Sequence, residues 1–212
     1  MSAVVGIVPA GGSGERLGAD RPKAFVVCAG RPLVEWSLAV LREICDRVVV
    51  AAPEGYDDGT DFVRGGDSRS ASVRNALAAA PEAEIAVVHD AARPLVTRDL
   101  VERCIAALEP GIDGAIAAVP MTDTVKEAAP DGRVVRTLDR SPLWSIQTPQ
   151  VFRADVLRRA LERDAAALAA ATDDAALVEE AGGTVRVVEA PPENIKVTRA
   201  SDLRIVEALL AD

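Results

Sequence analysis

Val4-Val5-Gly6-Ile7-Val8-Pro9-Ala10-Gly11-Gly12-Ser13-Gly14-Glu15-Arg16-Leu17-Gly18, closed by Arg21-Pro22-Lys23, decides how the chain is read. Its first half is an unbroken apolar run, as expected of a strand covered on both faces, where apolar residues follow one another rather than alternate. The run empties into a glycine-rich turn that carries two cations, Arg16 and Lys23. Glycines let the backbone come close to a ligand and aim several N–H groups at it, which is what phosphate oxygens require. A tight turn with surface cations is the plainer reading of the same residues. Two common phosphate motifs do not fit. Gly12 and Gly14 begin G-x-G-x-x-G, but Leu17 stands where the third glycine belongs, and no G-x-x-x-x-G-K-[ST] can be laid on the stretch.

Composition narrows the rest. A chain of 212 residues is long enough for one large domain with a sizeable core, and with 49% hydrophobic but only 3% aromatic residues that core must be aliphatic. The net charge of −9 argues against nucleic-acid binding through a basic surface, and six aromatic residues leave little for stacking bases. Cations that meet phosphate must therefore be concentrated locally, against the global sign. Cys28, Cys45 and Cys104 are odd in number and form no C-x-x-C, so buried free thiols in a reducing compartment are expected. No Cys/His/carboxylate spacing suggests a protein-bound zinc site. Met1-Ser2-Ala3 leads into the first strand without a basic leader, and no run approaches the length of a membrane span. A soluble, cytoplasmic protein is expected.

Beyond Lys23 the pattern alternates. Helices are expected at Leu33–Ile44, Ser70–Ala80 and Asp99–Leu108, and strands at Val48–Ala52, Ile85–His89 and Ala115–Val119. This rhythm predicts an α/β fold with a mostly parallel, Rossmann-like sheet and helices on both faces, with ligands beyond the carboxyl ends of the strands. Thr124–Glu127 and Val134–Leu138, joined through Pro130-Asp131-Gly132, then read as a β-hairpin that breaks the rhythm, either a projecting arm or an ordinary edge hairpin. Helices at Ala154–Ala171 and at Asp173–Ala181 (capped by Thr172), a strand at Thr184–Val188 and a helix at Ser201–Leu210 capped by Ser201 complete the expectation.

Ala10-Gly11-Gly12-Ser13-Gly14-Glu15-Arg16-Leu17 with Pro22-Lys23 is similar to the signature A-G-G-x-G-x-R-(L/M)…P-K of nucleotidyltransferases that activate small phosphorylated or sugar substrates. Six later stretches narrow the likeness. They are Gly65-Gly66-Asp67-Ser68-Arg69-Ser70-Ala71-Ser72-Val73-Arg74-Asn75, Val88-His89-Asp90-Ala91-Ala92-Arg93-Pro94, Thr122-Asp123-Thr124-Val125-Lys126, and Arg140-Ser141-Pro142-Leu143-Trp144 running to Gln147-Thr148-Pro149-Gln150-Val151-Phe152. Thr172-Asp173-Asp174-Ala175 and Asn194-Ile195-Lys196-Val197-Thr198 complete the set. In this order, over nearly the whole chain, they resemble the 2-C-methyl-D-erythritol 4-phosphate cytidylyltransferase family. The ribitol-5-phosphate cytidylyltransferases share most of these segments and stay open as an alternative, as does a non-catalytic nucleotide-binding module. Two departures, Ala24 where the family often has Gln and Gly11 where many members have Ala, touch no charge.

The resemblance implies a nucleotidyltransferase domain spanning residues 1–212, with a dimerisation arm at about 121–142, and a reaction of CTP with a polyol phosphate. Mg²⁺ or another divalent cation would be carried on the CTP phosphates. It implies nucleotide contacts from Pro9, Ala10, Gly11, Gly12, Gly14, Arg16, Lys23, Gly66, Asp67, Ser72, Asp90 and Ala91. It implies contacts to the second substrate from Asp90, Arg93, Thr124, Arg140, Thr172 and Lys196, with Arg16, Lys23, Arg140 and Lys196 carrying the catalysis. Family members are dimers, so Thr124 and Arg140 are expected to serve the neighbouring subunit's site. Cytosine offers an amino donor where uracil has a carbonyl, which suits a carboxylate such as Asp67, although a turn residue ahead of a helix is the plainer role. His89 is the one histidine, and a structural hydrogen bond at a strand end is expected of it, since an attacking phosphate needs little deprotonation near pH 7.

Overall fold

The computed structural model describes residues 2–14, 17–18, 20–56 and 61–211. In chain order the elements begin β1 (Val4–Pro9), β2 (Val27–Cys28), β3 (Arg31–Pro32), α1 (Leu33–Leu41), β4 (Arg47–Ala52), β5 (Phe62–Arg64), α2 (Arg69–Ala78), β6 (Ile85–Val88) and α3 (Arg98–Ala106). They continue β7 (Gly114–Pro120), β8 (Lys126–Ala128), β9 (Val134–Thr137), β10 (Trp144–Arg153), α4 (Ala154–Leu161), α5 (Ala165–Ala170), α6 (Asp174–Glu180), β11 (Val185–Glu189) and α7 (Ala200–Ala211).

Seven strands make the main sheet in the order β11-β7-β10-β6-β1-β4-β5. All run parallel except β10, which lies antiparallel between β6 and β7. The opening apolar run is an interior strand, paired on both edges, with Val5, Ile7 and Val8 fully buried. Successive residues serve opposite faces. Val5, Ile7, Val49 and Ala51 meet the helices α2, α4, α5 and α6, while Val8, Val48, Val50 and Ala52 meet α1 and α3. A third, smaller cluster seats α7 against Cys28, Leu33 and Val197.

The hairpin pairs only with itself. β8 and β9 form a separate two-stranded sheet whose seven residues are all exposed, so the edge-hairpin reading fails and the hairpin stands off the main sheet. Among the described residues no helix is long and apolar enough to cross a membrane. The three cysteines are free and buried, as expected, and burial lifts their thiols to about 11 for Cys28 and about 12 for Cys45 and Cys104.

Several boundaries move for local reasons. α1 stops at Leu41 rather than Ile44, because the Ile44 and Cys45 N–H groups both turn back to the Leu41 carbonyl. The helix expected over Ala154–Ala171 is two helices: Asp164 accepts the Ala167 N–H at 2.8 Å and starts α5 afresh. α6 is capped by Asp173 and not Thr172, and Ser201 lies inside α7, where Asp202 accepts the Thr198 and Arg199 N–H groups, each at 2.8 Å. β5 and β10 were not expected as strands.

Candidate active site

Three loops that leave the carboxyl ends of parallel strands face one another: the glycine-rich turn after β1, Gly65–Ser68 after β5, and Asp90–Ala92 after β6. They enclose a cavity lined by Pro9, Ala10, Gly11, Gly12, Lys23, Gly66, Asp67, Ser72, Asp90 and Ala91, together with Arg69 and Lys196. These include every residue expected on the nucleotide side except Gly14 and Arg16. Arg16 lies outside the described residues. Gly14 sits behind the wall at φ +79°, where a Cβ would lie 2.9 Å from the Arg21 carbonyl oxygen, so this position requires glycine to close the turn. Gly11 is different. A Cβ there would meet only the Ser72 hydroxyl, at 3.9 Å, so the alanine of other family members would fit.

The second loop is set by its own hydrogen bonds. Ser68 caps α2, accepting the Ala71 N–H at 3.1 Å. The buried Ser72 hydroxyl accepts the Gly66 N–H at 3.0 Å and donates to the Ser68 carbonyl at 2.9 Å. Gly66 packs so closely on α2 that a Cβ would stand 2.6 Å from that of Ala71. Asp67 is left exposed at the mouth of the cavity. Lys23 ties the first loop to the far side: its backbone N–H donates to the Gly12 carbonyl at 2.9 Å and its ammonium to the Val197 carbonyl at 3.1 Å.

A second cavity adjoins the first, lined by Arg69, Asp90, Arg93, Ile146, Gln147, Thr148, Gln150, Thr172, Asp173 and Lys196. Three residues belong to both walls: Arg69, Asp90 and Lys196. They form a chain of charges. Lys196 Nζ donates to Asp90 Oδ2 at 2.6 Å, Arg69 Nε to Asp90 Oδ1 at 3.0 Å, and Arg69 Nη1 to Asp174 Oδ2 at 2.6 Å. Burial alone would lift the Asp90 carboxyl, but the Arg69 and Lys196 charges outweigh it and hold the group well below the usual carboxylate range. Burial does prevail at Asp174, whose carboxyl is raised although Arg69 pulls the other way. Arg93 is 7% exposed and donates from Nη1 to the Asn194 carbonyl at 2.7 Å. Its Nε, also buried, has no hydrogen-bond partner among the described residues. An unpartnered guanidinium edge beside a cavity suits an anion.

His89 has no access to either cavity. It is fully buried, and its Nε2–H donates to the Arg93 carbonyl at 3.2 Å. Thr148 Oγ1 accepts the Asp90 N–H at 3.0 Å and donates to His89 Nδ1 at 3.1 Å. Each ring nitrogen therefore has a task only in the neutral ring. Burial pushes the imidazole down to about 4, although the nearby Asp90 charge acts in the opposite sense. A histidine in the unfolded chain titrates near 6.5, so between these values the unfolded state binds more protons and stability rises with pH. The urea midpoint of the wild type should fall as pH drops from about 6.5 towards 4, by up to about 3 kcal/mol in unfolding free energy, and His89→Gln should flatten that slope. An equal slope in the two proteins between pH 6.5 and 5 would contradict this burial of a neutral ring.

The expected residues are thus only partly assembled within one chain. Asp90, Arg93, Thr172 and Lys196 meet at the second cavity, but Thr124 and Arg140 line neither cavity. Both are exposed at the base of the hairpin, where the Arg140 guanidinium donates to the Thr122 carbonyl. Sequence reasoning missed Arg69, Asp174, Thr148 and Asn194. All four lay inside the quoted stretches, and the doubled acid of Asp173-Asp174 was the one available hint of a buried counter-ion.

The sequence model of the family described as IspD, 2-C-methyl-D-erythritol 4-phosphate cytidylyltransferase, matches residues 4–212. A protein of that name from Rubrobacter xylanophilus is 44% identical over an alignment covering 100% of this chain and 96% of its own. One from Nocardia farcinica is 41% identical, covering 98% and 94%. The crystal structure of the 2-C-methyl-D-erythritol 4-phosphate cytidylyltransferase of Thermus thermophilus superposes with a TM-score of 0.85 at 35% identity, covering both chains completely.

Proposed function

The chain belongs to the 2-C-methyl-D-erythritol 4-phosphate cytidylyltransferase family, and from that premise we propose that its two cavities divide the reaction between them. The reaction transfers the CMP moiety of CTP to 2-C-methyl-D-erythritol 4-phosphate (MEP), releasing pyrophosphate. The loop-lined cavity takes CTP, with its base at Gly66 and Asp67 and its phosphates along the glycine-rich turn. The adjoining cavity takes MEP, with its phosphate between Arg93 and Lys196. The observation that carries this division is the shared wall of Arg69, Asp90 and Lys196, which brings two polyanion sites into contact.

The chemistry asks little of the protein beyond placement. An oxygen of the MEP phosphate bonds to the α-phosphorus, and the bond from that phosphorus to the bridging oxygen breaks, its electron pair leaving with pyrophosphate. Holding the two phosphates in line removes most of the entropic barrier, and fixed cations neutralise charge that spreads over the α-phosphate. Lys23 and Arg16 supply that charge on the CTP side, and Lys196 orients the attacking phosphate. His89 takes no proton; its work is to hold the Asp90 loop in place.

Among the described residues no cluster of three His, Cys, Asp or Glu side chains could hold a metal by itself. Asp67 and Asp90 are the carboxylates of the first cavity, and both Asp90 oxygens already face cations. This donor set fits Mg²⁺, or another divalent cation, that arrives on the CTP phosphates and keeps most of its waters, with no more than Asp67 or Asp90 to add an oxygen. Bound there, it would supply charge neutralisation on the triphosphate. The buried free thiols accord with a reducing, cytoplasmic setting.

We assign the hairpin to a homodimer in which Thr124 and Arg140 complete the partner's MEP site. Val134 and Val135 are 56% and 59% exposed on its surface, and Trp144 and Ile146 on β10 are exposed as well. Mixing Arg140→Ala with Lys23→Ala chains tests this. In a hybrid dimer both lesions fall in one site and leave the other intact, so random exchange should restore about a quarter of wild-type activity. No recovery despite demonstrated exchange would place Arg140 in its own chain's site.

A further inference from the structure

One cation on the wall between the cavities has no chemical task in the reaction just described. Arg69 is the first residue of α2, held at the helix start by the Ser68 cap. From there its side chain reaches the boundary that both cavities share. Two carboxylates grip it from different elements, Asp90 after β6 on Nε and Asp174 at the start of α6 on Nη1. Burial works against the charge, yet these two anions more than offset it and raise the guanidinium further, so it stays cationic at any working pH.

The grip is not a complete enclosure. The Arg69 side chain keeps 28% of its surface exposed, whereas that of Asp174 keeps none and its second oxygen has no hydrogen-bond partner among the described residues. A buried acid with an idle oxygen is costly, and the open side of the guanidinium leaves N–H groups free to meet a ligand. The arrangement makes sense if the guanidinium is being aimed. Its fork offers five N–H donors in one plane, and two of its nitrogens are anchored.

During CMP transfer the new P–O bond forms between a phosphate in one cavity and the α-phosphorus in the other. Negative charge therefore builds at their boundary, where Arg69 sits. We propose that Arg69 is a catalytic residue, its remaining N–H groups meeting phosphate oxygens on both sides of the forming bond, and that Asp174 is the positioning residue that sets its direction. This rests on the assignment of CTP and MEP to the two cavities.

The test uses the full-length protein, pyrophosphate release for turnover and titration calorimetry for CTP affinity. Arg69→Gln should lose about thirtyfold or more in kcat while its CTP dissociation constant stays within about threefold of wild type. Arg69→Lys should recover only part of the loss, since a point charge cannot span two phosphates as a fork does. Asp174→Asn, which keeps the shape of the site, should lower kcat about fivefold with little change in KM for CTP. An Arg69→Gln protein that turns over within about threefold of wild type would overturn the proposal, as would a loss of CTP affinity that matches the loss of turnover. Wild-type protein that releases no pyrophosphate from CTP and MEP would instead overturn the assignment of the cavities, so the two failures are distinct.

Discussion

Lys196→Ala is expected to lower kcat/KM for MEP by about three hundredfold, the larger part of it through KM. Two losses combine. The ammonium is one of the two cations proposed to hold the MEP phosphate, and it is also one of the two partners of Asp90, at 2.6 Å. Asp90 keeps only 11% of its side-chain surface, so removing Lys196 leaves a carboxylate oxygen facing the incoming phosphate. Truncating one partner of a close charge pair costs about 2–5 kcal/mol, much of it the penalty on the partner left behind. Lys196 itself is 40% exposed, which places the effect in the middle of that range. Steady-state kinetics against MEP at saturating CTP reads it directly. A change below about tenfold would remove Lys196 from the MEP site.

Lys23→Ala should fail differently. Here kcat should drop by at least about a hundredfold with a small change in either KM, the signature of a donor used in the transition state. Its ammonium already crosses from the glycine-rich turn to the Val197 carbonyl, one residue beyond Lys196. One side chain thereby ties the loop proposed to hold CTP to the segment proposed to orient MEP. The backbone N–H of Lys23, bonded to the Gly12 carbonyl, survives the substitution, so the turn should keep its shape. A near-normal kcat would leave the α-phosphate without its proposed cation.

The two lysines also show where reading the sequence succeeds and where it stops. β1, β4, β6 and β7 were legible because parallel strands buried on both faces must be apolar without interruption. β10 was not. Its Gln147-Thr148-Pro149-Gln150 core is polar and carries a proline, which argues against an interior strand. The sheet accommodates it by shifting register between Ile146 and Gln150, and this irregular stretch delivers Gln147, Thr148 and Gln150 to the second cavity. The helix break at Asp164 was visible as a capping residue, but the alanines around it read as one continuous helix.

Motifs located Lys23 and Lys196 because short spacings survive in linear sequence. The charge chain does not survive in that form. Arg69 meets Asp174 across 105 positions and Lys196 meets Asp90 across 106, and no local pattern announces either pair. His89 was placed in a structural role on chemical grounds, yet only the fold reveals that its partners are Arg93 and Thr148.

The central claim, that this chain joins CTP to MEP across one shared wall, is tested most directly by pyrophosphate release with CTP and each of two polyol phosphates. The account predicts release with MEP, formation of the CDP-linked product, and turnover at least about a hundredfold slower with ribitol 5-phosphate. Turnover with ribitol 5-phosphate alone, or none with MEP, would contradict it.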